Sequence, residues 1–167
     1  MAIEDLNKLL DTITDGLHNS AMLHRVGLGA IRIIKERTRL WKDVDGKTFE
    51  PYTDAWAEVR TDKGLPVKAQ GTNTDSMMVF DPYDGMMSKI EHTLAADLST
   101  VTLDITSEAK KKLAYYHNVS GVGAKGKHLR KFWGLNEQTE VPQIAEIIEQ
   151  NLQETLDKFI MSNLGDK

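Results

Sequence analysis

No cysteine occurs in the 167 residues. That excludes disulfide staples, thiolate metal sites and cysteine nucleophiles, and it suits a protein made in a reducing cytoplasm. No apolar run approaches the roughly 20 residues needed to cross a bilayer, so no membrane is expected as a partner. The opening Met1-Ala2-Ile3-Glu4-Asp5 has neither the basic start nor the apolar stretch of a secretion signal, and none is expected. No G-x-S-x-G turn is present to raise a nucleophilic serine. Among the five histidines (His18, His24, His92, His117 and His128), no two stand four apart, the spacing that sets two imidazoles on one helix face for zinc. An excess of positive charge is missing too. The net charge is −4 and the pI about 5.7, which argues against non-specific coating of nucleic acid.

What is present is the composition of a globular protein, 40% hydrophobic and 28% charged, in a chain long enough for one domain with helical arms. Charge is unevenly placed. Seven Lys/Arg and no Asp or Glu lie between Lys110 and Lys131, and the stretch that follows to Asp157 is mostly acidic.

Apolar residues Ile3, Leu6, Leu9, Leu10, Ile13 and Leu17 recur at helical spacing. Asn19 and Ser20 can cap a second helix with Met22, Leu23, Val26, Ala30, Ile33, Ile34 and Arg37 on its faces. Gly27 and Gly29 should weaken that helix by roughly 1 kcal/mol each relative to Ala. They fit either close packing against another backbone or a kink. The residues from Trp41 to Lys47 form a turn, Pro51 keeps residues 49–52 extended, and a short helix runs from Thr53 to Thr61. Residues 64–75 lack periodicity and read as a mobile surface loop. Residues 77–80 suggest a strand and residues 81–85 a turn, while residues 88–95 fit a strand or a helix. Val101-Thr102-Leu103-Asp104-Ile105 alternates as a half-buried strand does. Ser107 caps a helix through Tyr116, a glycine-rich loop covers residues 119–128, and Phe132 and Trp133 serve as core anchors. Thr139 and Pro142 open a last helix with Val141, Ile144, Ile148, Leu152, Leu156, Phe159 and Ile160 on its stripe. The expected fold is α+β: N-terminal helices over residues 1–40, an α+β core with a small antiparallel sheet over 41–138, and a long C-terminal helix over 139–167.

Gly121-Val122-Gly123-Ala124-Lys125-Gly126-Lys127-His128 satisfies G-x-G-x-x-G and most of the P-loop pattern. Its context argues against nucleotide binding. His128 stands where the Mg²⁺-binding hydroxyl belongs, and a helix rather than a buried strand precedes it. Asp43-Val44-Asp45-Gly46 hints at a calcium loop, but the register puts Trp41 and Tyr52 at carboxylate positions, and a turn explains it better. His117, beside Tyr115 and Tyr116, reads as a packed histidine. No catalytic set, cofactor or metal is expected.

Three segments, in order, resemble the phage virion morphogenesis family of tail-completion proteins. Residues Asp43 to Thr53 are similar to its D-x-x-G-x-x-W-x-P-L-S segment, with Phe49 and Tyr52 in the tryptophan and leucine places. Leu113-Ala114-Tyr115-Tyr116-His117-Asn118, ending at Gly121, resembles Y-A-x-x-H-x-x-G. Here the tyrosine-alanine order is disturbed and one extra residue precedes the glycine. Leu129-Arg130-Lys131-Phe132-Trp133-Gly134-Leu135-Asn136 is close to R-x-F-L-G-L-S, with Trp133 replacing leucine. Between the first two, Phe80 to Ile90 is similar to L-x-x-T-G-x-L-x-x-S-I, although Asp84 departs from the threonine and Ser88 is shifted by one.

The resemblance implies a non-enzymatic structural protein of a tailed phage or prophage virion. It would be assembled in the bacterial cytoplasm, finish the tail and support head–tail joining. Its expected partners are copies of itself, arranged as a ring, and other tail or connector proteins. The candidate interface, on ordinary interface preferences for aromatic, Met and Arg side chains, comprises Trp41, Tyr52, Tyr83, Met86, Met87, Lys125, Lys127, His128 and Arg130. The alternatives are a nucleic-acid-contacting module on the basic segment 110–131 and an enzyme built around His117.

Overall fold

Asn19 ends one helical run and starts the next. Its Oδ1 accepts the Ala21 N–H at 2.8 Å, meeting one of the donors that a helix start leaves unpaired. The computed structural model describes residues 3–49, 54–62, 86–121 and 129–164. In it α1 spans Ile3–Leu17, α2 Ser20–Arg39 and α3 Asp54–Asp62. Strands β1 (Ile90–Leu94) and β2 (Val101–Ile105) follow, then α4 (Glu108–Tyr115) and α5 (Val141–Leu164). The two strands pair antiparallel, so the fold is α+β. No helix among the described residues is long and apolar enough to cross a membrane. Residues 50–53, 64–75 and 77–85 lie outside the described ones, and with them the extended segment at Pro51, the surface loop, and the strand and turn expected before Met86.

The chain divides into two compact units, one of Met1–Ala30, His92–Thr102 and Glu137–Lys167, the other of Ile31–Glu91 and Leu103–Asn136. The division runs through α2, whereas the sequence pattern separates segments at residue 40. The reason is that Ile31 and Ile34, one turn apart, belong to the core of the second unit.

In the first unit α1 lies along α5. Ile144, Ile148 and Leu152 of the expected stripe are half-buried, but Val141 and Ile160 are exposed. Ile147, off that stripe, packs over Gly29 instead. Both glycines of α2 are occupied by side chains rather than by another backbone, and the helix runs unbroken through them. A Cβ on Gly29 would come within 2.4 Å of the Ile147 Cδ1, the far end of a flexible chain. At Gly27 it would come within 2.5 Å of Cδ2, 2.6 Å of Cγ and 3.0 Å of Cβ of His92, a rigid ring. Helix propensity alone would have Gly→Ala stabilise by about 1 kcal/mol. Overpacking reverses that sign at Gly27: G27A should lower stability by about 1–3 kcal/mol, while G29A should cost less. Equilibrium urea unfolding of both variants checks the order.

The hairpin alternates as its sequence does. Ile90, His92 and Leu94, with Val101, Leu103 and Ile105, are more buried than the residues between them. Asp97 closes the turn, its Oδ1 accepting from the Ser99 N–H at 3.1 Å and hydroxyl at 2.7 Å. Those two bonds hold its carboxyl below the ordinary range. A 3-10 turn, Met86–Lys89, leads into β1.

In the second unit α2 ends in a Schellman turn built on tryptophan. Trp41 N–H donates to Thr38 O at 3.0 Å and Lys42 N–H to Arg37 O at 3.2 Å, with Trp41 in the left-handed region at φ 62. Glycine normally holds that place, because a side chain there costs about 1–2 kcal/mol. Here the turn swings the indole inward, where it is 1% exposed and meets Phe49 edge to face at 6.4 Å. The expected turn follows: Asp43 Oδ1 accepts the N–H groups of Asp45 and Lys47 at 3.0 and 2.7 Å, and Gly46 sits at φ +77. The oxygen that a calcium loop would need is spent on this turn.

Trp41, Phe49, Met86, Met87, Ile90, Ile105 and Phe132 form one core cluster with Ile31 and Ile34. Three interface expectations are corrected by it. Trp41, Met86 and Met87 are each 1% exposed. Trp41 is carried inward by the Schellman turn, and the two methionines are carried inward by the 3-10 turn, which packs against α4.

Candidate interaction surface

The surface is positioned by three stretches that meet in the second unit: the turn after α2, the end of α4, and residues 129–136. Val44 N–H donates to Lys131 O at 2.8 Å, and Asn136 Nδ2 returns a bond to Val44 O at 2.9 Å. Arg130 N–H donates to His117 O at 2.8 Å. Asn118 works in both directions, donating from Nδ2 to Ala114 O at 2.8 Å and accepting the Trp133 N–H on Oδ1 at 2.9 Å. Arg37 closes the arrangement from α2. Its Nη1 and Nη2 each donate to Gly134 O at 3.1 Å, and Nη2 also donates to Phe132 O. Residues 129–136 have no regular structure, so their polar groups need partners of this kind. Phe132, 0% exposed, is the anchor among them.

After α4 the helix widens into a π turn over Tyr116–Ser120 and stops at Gly121, φ 77. An i→i+5 ring holds one residue more than an α-helical ring. Ser107 stands at the start of α4, but its side chain makes no capping bond.

The widened turn faces two ways. Ala114 and His117, three apart, are buried, so Tyr115, Tyr116 and Val119 face out. Tyr115 is 55% and Val119 61% exposed, and the two tyrosine rings meet edgewise at 6.2 Å. Beside them lies an open cleft of about 270 Å³, lined by Leu103, Tyr115, Val119 and Trp133 together with Asp104 and Lys111. Lys111 bonds Asp104 at 2.8 Å and Glu108 at 3.2 Å. The Asp104 carboxylate, above all, raises the ammonium's affinity for its proton, and Lys111 in turn lowers the Asp104 carboxyl.

His117 itself is 2% exposed. Burial, and after it the positive charge of Arg130, lowers its pKa from 6.5 to about 4. It is a neutral, packed imidazole at neutral pH. The fourth corrected interface residue is Arg130. It is 4% exposed, its side chain drawn in beside His117 rather than offered to a partner. Tyr52, Tyr83, Lys125, Lys127 and His128 lie outside the described residues. Of the basic segment, Lys112 and Lys131 are exposed, Lys110 is half-buried and Lys111 is ion-paired.

Sequence reasoning passed over Tyr115, Tyr116, Val119 and Leu129, the exposed apolar side chains around this turn. The signal was present in the pairing of Ala114 with His117, since a helix that buries those two must expose the residues between. Arg37 and Asn118 gave no such sign, because a clamp on a distant backbone leaves no periodicity. The chain matches no protein-family model, no curated protein and no solved structure.

Proposed function

We propose that this chain is a non-enzymatic structural protein of a tailed phage or prophage, of the tail-completion kind. On this reading it is assembled in the bacterial cytoplasm into a homo-oligomeric ring in the virion tail, where it finishes the tail and supports head–tail joining through protein contacts. One observation carries the reading. The three segments on which the family resemblance rests are far apart in sequence, yet they meet in one hydrogen-bonded framework through Val44–Lys131, His117–Arg130 and Asn118–Trp133. Convergence of the three motif segments is what the family reading expects. Next to the framework lies an apolar surface with a cleft, the kind of surface that partners cover.

The nucleic-acid alternative loses ground here. Of its seven cations Arg130 is buried and Lys111 is held by two carboxylates. Pull-down against tail-tube, tail-terminator and connector proteins tests the proposal. Retention by at least one of them, weakened about tenfold or more by Tyr115→Ala with Val119→Asp, is expected, since a few central residues carry most interface energy. Absence of any virion partner, with salt-dependent DNA binding in its place, would reverse the assignment.

A further inference from the structure

His24, on the second turn of α2, and His92, in the middle of β1, point ring nitrogens at each other. His24 Nδ1 lies 2.7 Å from His92 Nε2, with the ring planes at 77°. Gly27, one turn beyond His24, makes room for the His92 ring, since any Cβ at that position would strike it. The glycine thus seats one imidazole so that its Nε2 edge meets the other. Two neutral imidazoles at this distance share a single proton, one nitrogen donating and the other offering its lone pair.

We propose that these two residues form a two-imidazole chelate for a late first-row divalent cation such as Zn²⁺, Ni²⁺ or Cu²⁺. A cation takes the place of the shared proton. Metal–nitrogen bonds of about 2.0–2.1 Å, at angles between square and tetrahedral, set the two nitrogens about 2.9–3.4 Å apart. Opening the pair by about half an ångström is enough, and the exposed His24 ring can supply it by rotation. The shared proton moves, by exchange through solvent, to the far nitrogen of the ring that carried it, so both rings stay neutral, each binding through a lone pair and keeping its one proton on the far nitrogen. No group of three or more His, Asp or Glu ligands occurs among the described residues, so water fills the other positions. Imidazole donors with water favour Zn²⁺, Ni²⁺ and Cu²⁺ over Mg²⁺ or Ca²⁺.

The test uses untagged protein stripped of metal with a chelator. Zn²⁺, Ni²⁺, Cu²⁺ and Mg²⁺ chlorides are titrated in turn by calorimetry into wild type, His24→Ala and His92→Ala. One equivalent of a late transition ion should bind, with affinity falling roughly tenfold or more in either variant and with no heat from Mg²⁺. His24 is exposed, so His24→Ala decides the matter even if His92→Ala does not fold. Binding of the same strength in His24→Ala, or no saturable binding in wild type, would overturn the proposal.

Discussion

Replacing Phe132 by alanine should lower the stability of the second unit by about 3–5 kcal/mol, the range for deleting a buried aromatic ring. The ring is fully enclosed in the cluster with Trp41, Phe49, Ile105 and the two methionines, and it meets Trp133 edge to face at 6.4 Å. The loss should exceed the bare transfer free energy, since the residue's main chain is also held. Its N–H donates to Arg130 O at 2.8 Å and its carbonyl accepts from Arg37, so the segment cannot readily collapse into the space left behind. Leu129→Ala, three residues away on an exposed side chain, should change stability by no more than about 0.5 kcal/mol. Urea unfolding followed by circular dichroism compares the two. Equal losses would mean that residues 129–136 are not anchored through Phe132.

Acidification should weaken the fold through His117. The native state holds this imidazole neutral, and its pKa of about 4 lies below the ordinary 6.5. As pH falls, the unfolded chain takes up the proton first. The stability from keeping the ring neutral is therefore complete above about pH 6.5 and is lost progressively as pH drops toward 4. At 1.36 kcal/mol per unit of difference the loss is about 2 kcal/mol at pH 5 and about 3 kcal/mol when fully developed. Carboxylates add slopes of their own, so the informative quantity is the difference from His117→Phe. That variant keeps a ring in the space and cannot protonate. Its stability should fall less steeply between pH 7 and pH 5 by that same amount, and parallel curves would show that His117 is not held neutral by its surroundings.

How much of this was legible in the sequence depended on whether a feature was periodic. Val101 to Ile105 alternates because one face of β2 is buried, and the strand lies where the pattern places it. The helix starts at Asn19 and near Pro142 were legible for the same local reason. Trp41 was not. A tryptophan in a turn of charged residues reads as exposed, and only the left-handed Schellman geometry sends its indole inward. Met86 and Met87 are adjacent and both buried, which no helix or strand period predicts; a 3-10 turn packed against α4 permits it. Arg37 is a buried charge whose partners are backbone carbonyls 95 and 97 residues along the chain, and composition carries no record of such a pairing. The His24–His92 pair joins residues 68 apart, so a search for ligands by helical spacing could not find it. Gly27 was the visible half of that site, a costly residue inside a helix without a local reason.

Self-association is the property on which the functional account stands or falls. Multi-angle light scattering of the purified chain, run at several concentrations spanning about two orders of magnitude, measures it directly. The account predicts a mass that rises with concentration to a closed multiple of 18.8 kDa, and a shift back toward the single chain when Tyr115 and Val119 are replaced. A mass of one chain throughout that range, with tail and connector proteins present as well as absent, would contradict it.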